Sequence, residues 1–162
     1  MQRKMGFSYQ GTVQVGKFSV MSRVQGGLDP KQGMQLPSGL NDPLAFGIVE
    51  EGIVPTGASD YNNGSYEGIS QAAWPANLQP STPQNNYRRT VVLEGPIRGR
   101  AAGAWNVDDR LVPADNQGHL ASVVTLGLAP GTPIWVIATA MEPASNLGDV
   151  AQVYVLPHHD VV

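Results

Sequence analysis

The sequence predicts an all-β protein: a small antiparallel β-barrel or β-tulip with a long loop excursion, an extended N-terminal arm and little helix. Three observations lead there. Between residues 88 and 157, short apolar-rich stretches recur at a spacing of roughly ten residues, each bounded by glycine, proline or asparagine, as in barrels and sandwiches. Glycine and proline make up about a fifth of the 162 residues, against a usual share of roughly 12%, and they are the two poorest residues in a helix interior. Charged residues are only 14% of the chain, against about 25% in an ordinary soluble domain. The length suits one domain with a real core.

The elements follow in order. Residues 1–10 read as an N-terminal arm. Residues 12–20 (TVQVGKFSV) alternate with period two, and the phase slips at Gly16–Lys17, which marks a bulge or a strand break. Turn dipeptides follow at Gly26–Gly27, Asp29–Pro30 and Asp42–Pro43. Leu44–Val49 is a short apolar strand, and Ile53–Val54 extends its pattern. Residues 56–87 then lose both periods. Loops beyond about 12–15 residues are uncommon in compact domains, so this stretch reads as an excursion from the core. It carries Tyr61, Tyr66, Trp74 and Tyr87, and its one helical stretch is Gly68–Ala73. Patterning resumes with a strand at Thr90–Leu93, a turn at Gly95–Pro96 and a second strand at Ile97–Ala104. Leu120, Val124, Leu126 and Leu128 share one parity. Ile134–Met141 is almost continuously apolar, as when both faces are covered. Val150–Leu156 closes the core, leaving 158–162 as a tail. The domain is thus one β unit, with its core at 11–55 and 88–157.

The charge pattern is segregated. The net charge is −3, which argues against non-specific nucleic-acid binding. Residues 1–49 balance at +3, 50–87 at −4, 88–110 at +2 and 111–162 at −4. Either folding mixes these blocks on one surface, or opposite patches meet between subunits and set register there.

Residues suited to chemistry are sparse. Cysteine is absent, so neither a disulfide framework nor a Cys-based zinc site is available. No apolar run approaches the ~18 residues of a membrane helix, and the basic pair near the start has no apolar core behind it, unlike a secretory signal. His119 follows a turn and reads as a solvated strand-end residue. His158 and His159 read as lying beyond the last strand. As extended neighbours they point to opposite faces, so they make no chelating pair. Asp108–Asp109 and Glu50–Glu51 are adjacent and do not face each other as catalytic carboxylates must. Asp60–Gly64 is a poor calcium loop, with glycine fifth rather than sixth; Asn63–Gly64 reads as a tight turn. Neither a phosphate loop nor a GxSxG elbow is present. Gly99 and Gly103 have small-xxx-small spacing, but outside an apolar segment. The basic cluster is Arg88, Arg89, Arg98 and Arg100. Arg98 and Arg100 share a strand face, which is either solvated or turned to an acidic partner. Too few aromatics accompany them for a single-strand nucleic-acid groove. No catalytic residue, cofactor or metal site is expected.

The last third carries a series of features: Asp109–Val112 opening a strand, the polar turn Asn116–Gly118, and an apolar strand ending in Ala138–Ser145. A Gly148–Val150 turn then leads into the strand Val153–Leu156. Upstream stands Leu44–Gly52 (LAFGIVEEG). Together these resemble the β-strand core of tailed-bacteriophage capsid decoration (cement) proteins over about half the chain. The resemblance implies a structural, non-enzymatic protein made in the host cytoplasm. It would sit on the capsid exterior of a virion, bind the major capsid protein and stabilise the shell, typically as a homotrimer. Nucleic acid, membrane and small-molecule substrates are not expected partners. The residues that fit such contacts are Arg3, Lys4, Phe7 and Tyr9 in the arm, Tyr61, Tyr66 and Trp74 in the excursion, and Arg88, Arg89, Arg98 and Arg100. Tyrosine and tryptophan are enriched among interface hot spots. The alternative is a carbohydrate-binding or adhesive β-sandwich of a tail or cell surface, with Trp74, Trp105 and tyrosines stacking on sugar rings.

Overall fold

The computed structural model describes residues 1–11, 13–24, 33–53, 65–66, 69–70 and 88–162. Within these the protein is nearly all β. The strands are β1 (Arg3–Tyr9), β2 (Val20–Arg23), β3 (Gly33–Gln35), β4 (Ala45–Val49), β5 (Ser65–Tyr66), β6 (Ile69–Ser70), β7 (Arg88–Arg100), β8 (Arg110–Pro113), β9 (Leu120–Ser122), β10 (Pro133–Ala140) and β11 (Val150–Val161). One 3-10 turn, Val123–Leu126, follows β9. The expected all-β barrel is therefore what the chain forms.

The main sheet runs β1-β3-β2-β4-β7-β11-β10-β8-β9, and β7 also pairs with β1. That extra pairing closes β1, β3, β2, β4 and the first half of β7 into a five-stranded barrel. The second half of β7 leaves this barrel and pairs with β11 from Gly95 to Arg100. From there β11, β10, β8 and β9 form a second layer. A bridge between Ala101 and Leu120, with Ala102 N donating to Leu120 O at 2.8 Å, brings β9 back to the end of β7. Closure matters because it removes the edge strands on which β-proteins aggregate.

The two halves share a wall. In β2, β4 and β7, adjacent side chains enter different cores. Met21, Phe46, Val49 and Val91 pack inside the first barrel with Phe7, Tyr9 and Met34. Val20, Ala45, Ile48 and Val92 pack the other way, against Ile97, Leu111, Ile137, Val153 and Val155. A strand with both faces covered needs apolar residues at both parities, which accounts for the run in Leu44–Val49. A third cluster of Val112, Val123, Ile134 and Val136 lies under the outer end of the β10–β11 ribbon.

Several expected boundaries are corrected. Residues 1–10 are not a free arm: Arg3–Tyr9 form β1, paired with β7 and β3. Removing them would open the barrel, so their deletion does not isolate a contact role. The expected turn at Gly95–Pro96 lies inside one 13-residue strand. Gly95 takes a φ of 111° there, and a Cβ on it would stand 2.6 Å from Met1 O, so this position needs glycine for both reasons. The expected strand Ile97–Ala104 ends at Arg100. The tail at 158–162 is also strand, because β11 continues to Val161. Its register shifts against β10 between Val136 and Ala138, where Leu156 and Pro157 oppose one residue. A bulge is one of the few sheet positions that tolerates proline. The slip at Gly16–Lys17 is a turn, with Phe18 at φ 63°. The single parity expected from Leu120 to Leu128 is broken by the 3-10 turn. In the expected helix Gly68–Ala73, Ile69–Ser70 are strand β6 paired with β5; the rest of it lies outside the described residues.

Candidate functional site

The predicted contact residues divide sharply by burial. Arg3, Lys4, Arg88 and Arg98 are exposed, and Arg89 is half-buried. Phe7 and Tyr9 are instead buried in the first barrel. They take alternate positions on β1, and each buried side chain of that size stabilises by about 1.5–3 kcal/mol. Tyr9 donates to Val13 O at 2.8 Å, and burial pushes its pKa up to about 12 despite that bond. Neither residue is available to a partner. Trp105, the sugar-stacking candidate, is also buried; its Nε1 donates to Glu142 O at 2.8 Å. Tyr61 and Trp74 lie outside the described residues, as does the side chain of Tyr66.

Arg98 and Arg100 do share an alternation phase, but only Arg98 reaches solvent. The β8–β9 connection folds over Arg100 and buries it completely. Its NH1 donates to Ser19 Oγ at 2.6 Å and to Gln117 O at 3.3 Å. Its NH2 lies 2.9 Å from His119 Nε2, and His119 Nδ1 lies 2.5 Å from Asp115 Oδ2. With NH2 as donor, Nε2 must accept, so the ring carries its proton on Nδ1 and donates to Asp115. Burial pulls the Arg100 pKa down to about 9, opposed by the Asp115 charge. His119 is thus no solvated strand-end residue; it is 1% exposed. Through Ser19 on one side and 115–119 on the other, this network fastens the first barrel to the second layer.

Among the described residues, three ion pairs join charge blocks that are separate along the sequence. Lys4 pairs with Glu50 at 2.6 Å and Lys17 with Glu51 at 3.4 Å, joining the first block to the second. Arg110 pairs with Asp160 at 2.6 Å, joining the third to the fourth. Arg89 Nε donates to Gly52 O at 3.1 Å; burial lowers its pKa against the opposing Glu51 charge. Folding thus mixes part of the charge that is segregated along the sequence.

Several aspartates staple turns. Asp109 accepts from Asn106 N and Ser122 Oγ, and Asp149 from Ser145 N and Asn146 N. Asp42 accepts from Ser22 Oγ at 2.8 Å, Ser38 N at 2.9 Å and Leu44 N at 2.9 Å. Among the described residues no cluster of three or more potential ligands could hold a metal ion. Burial works against the charge of Asp42 and Asp115, but their hydrogen bonds outweigh it and both pKa values fall below 3.8. A depressed carboxylate pKa contributes stability that is full above the unfolded value and is lost as pH falls through the folded one. Urea titrations at pH 7 and pH 3 are expected to show a lower midpoint at pH 3. Asp42→Asn is expected to shrink that difference; an unchanged difference would mean Asp42 is not a source of it.

A surface the sequence reading did not select stands out on β11. Ala151, Val153 and Val155 point inward, while Gln152, Tyr154 and Leu156 point outward. Tyr154 lies between Pro96 on β7 and Thr139 on β10, and Gln152 lies opposite Arg98. Met141 N donates to Gln152 O at 2.9 Å. Tyr154, Met141 and Leu156 are 37%, 44% and 49% exposed. The period-two alternation of Val150–Leu156 is the signal that locates this face.

No family model and no curated protein matches the sequence. Among solved structures, the chain is similar to the N base of the head fiber gp8.5 of bacteriophage phi29. The TM-score is 0.46 and the identity 13%, over 96% of this chain and 95% of that chain.

Proposed function

We propose that this chain is a structural protein of a phage virion that works by contact and not by catalysis. It sits on the capsid exterior as a homotrimer and bridges neighbouring major capsid subunits. The observation that carries the reading is the outward face of β11. It sets the exposed Tyr154 and Leu156 beside Met141, which follows β10, and the exposed Arg98 on β7, on a sheet held by two packed cores. The use of carboxylates as turn staples supports the same reading, as does the sequence resemblance to capsid decoration proteins. No cofactor, nucleic acid, membrane or small-molecule substrate enters it.

Co-sedimentation with expanded shells tests the proposal, with light scattering of the free protein to count chains. Wild type is expected to pellet with shells. The Tyr154→Ala, Leu156→Ala double variant is expected to bind on the order of 30-fold more weakly, since truncating a hot spot costs about 2 kcal/mol or more. Wild type that stays in the supernatant would overturn the virion reading. A variant that binds like wild type would overturn the placement of the face.

A further inference from the structure

We propose that a cleft between the first barrel and the β10–β11 ribbon is a receptor for an acidic peptide segment of a partner protein. The cleft has a volume of about 330 Å³ and is lined by Arg3, Arg23, Phe46, Leu93, Trp135 and Pro157, among others. Two bulges shape it. The β1–β7 register shifts between Arg3 and Lys4, setting Leu93 out of pairing on one wall. The bulge in β11 places Pro157 on the other.

Charge decides what such a cleft takes. Lys4, Lys17 and Arg110 have carboxylate partners, and Arg100 is buried in its own network. Arg3 and Arg23 are exposed, and among the described residues neither makes an ion pair. Glu94 is the cross-strand neighbour of Arg3, yet it is not bonded to it. The Arg23 guanidinium lies over the Phe46 ring at 4.8 Å and near the Phe7 ring at 5.8 Å. Contact with the rings holds the guanidinium at the cleft, and its N–H groups suit a carboxylate bound by two parallel hydrogen bonds. Trp135 is held in turn: its Nε1 donates to Ala45 O at 2.6 Å and its ring meets His159 at 4.5 Å.

The cleft therefore offers two cations over an apolar floor of Leu93, Trp135 and Pro157. A segment with carboxylates flanking an apolar side chain matches both features. A bare phosphate would use only the cations. This proposal is independent of the virion reading, because peptide binding and shell binding are measured separately.

The test follows the Trp135 indole N–H signal by NMR during titration with a short capped peptide alternating glutamate and leucine. Parallel titrations use the glutamine–leucine counterpart, inorganic phosphate and a short oligothymidylate. The acidic peptide is expected to shift the signal saturably. Raising salt from about 50 to about 500 mM is expected to weaken binding, because exposed charges are screened. Arg23→Gln and Arg3→Gln are each expected to weaken it on the order of tenfold, the effect of losing a charge-assisted hydrogen bond. Both positions are exposed, and unchanged spectra away from the cleft will show that the variants remain folded. No saturable shift, an equal shift from the neutral peptide, or unchanged affinity in both variants would overturn the proposal. Phosphate or the oligonucleotide acting as strongly at equal concentration would replace the peptide with a phosphate-bearing ligand and also overturn it.

Discussion

Gly47→Val is expected to destabilise the protein by at least about 4 kcal/mol, at the severe end of single substitutions. Gly47 lies in β4, in the wall shared by the two cores, and its backbone is ordinary. Space is what it lacks. A Cβ there would stand 2.4 Å from Val92 O and 2.7 Å from Val91 Cγ1. Val92 O belongs to the backbone of β7, which is fixed by pairing with β1 and β4 and cannot retreat without breaking those pairings. Overpacking a well-filled core costs about 1–3 kcal/mol, and a clash with paired backbone adds to it. Gly103→Ala is the matched control. Nothing lies within 4 Å of a Cβ at that position, so a change within about 0.5 kcal/mol is expected. Urea unfolding of the three proteins measures both. Equal midpoints for Gly47→Val and wild type would show that β4 and β7 are not packed this closely.

The second large effect belongs to Arg100. Arg100→Ala is expected to cost about 3–5 kcal/mol, the usual consequence of removing one member of a buried charged network. Asp115 would keep its charge without the cation behind His119. Ser19 Oγ and Gln117 O would lose a donor. Arg100→Met is expected to lose less than Arg100→Ala, because a long apolar side chain fills the space without leaving a cavity. Urea unfolding again reads the result. A loss below about 1 kcal/mol in Arg100→Ala would mean the network does not fasten the two halves.

Much of the fold could be read from the chain because β-structure leaves local marks. The apolar stretches at Leu44–Val49 and Ile134–Met141 became β4 and β10, each close to its expected bounds, and Val150–Leu156 became the first part of β11. Turn chemistry was equally local: the polar turn Asn116–Gly118 separates β8 from β9, and Asp42 caps the chain before β4. The errors share another cause. Gly95–Pro96 carries a strong turn signature, yet β7 passes through it because β11 and the first barrel hold its two halves to different partners. Residues 1–10 resemble a polar arm because only Phe7 and Tyr9 face a core, too few for a periodic signal.

The contact surface was less legible for the same reason. Alternation placed Arg98 and Arg100 on one face, and the backbone obeys it. Whether such a face meets water depends on what folds over it, here the 115–119 connection and Ser19, far away in sequence. The same holds for the cleft of Arg3, Arg23 and Trp135, whose members come from β1, β2 and β10. By itself, the sequence determined the all-β class, the position of β4 and those of the strands from β7 onward, since these follow from residue type and short-range period. Only the tertiary structure decided that β7 is shared by two β-layers, that the charge blocks pair within the chain, and which arginines remain exposed. Those outcomes rest on burial and on contacts between residues up to about a hundred positions apart, where pairing energy and not local propensity selects the neighbour.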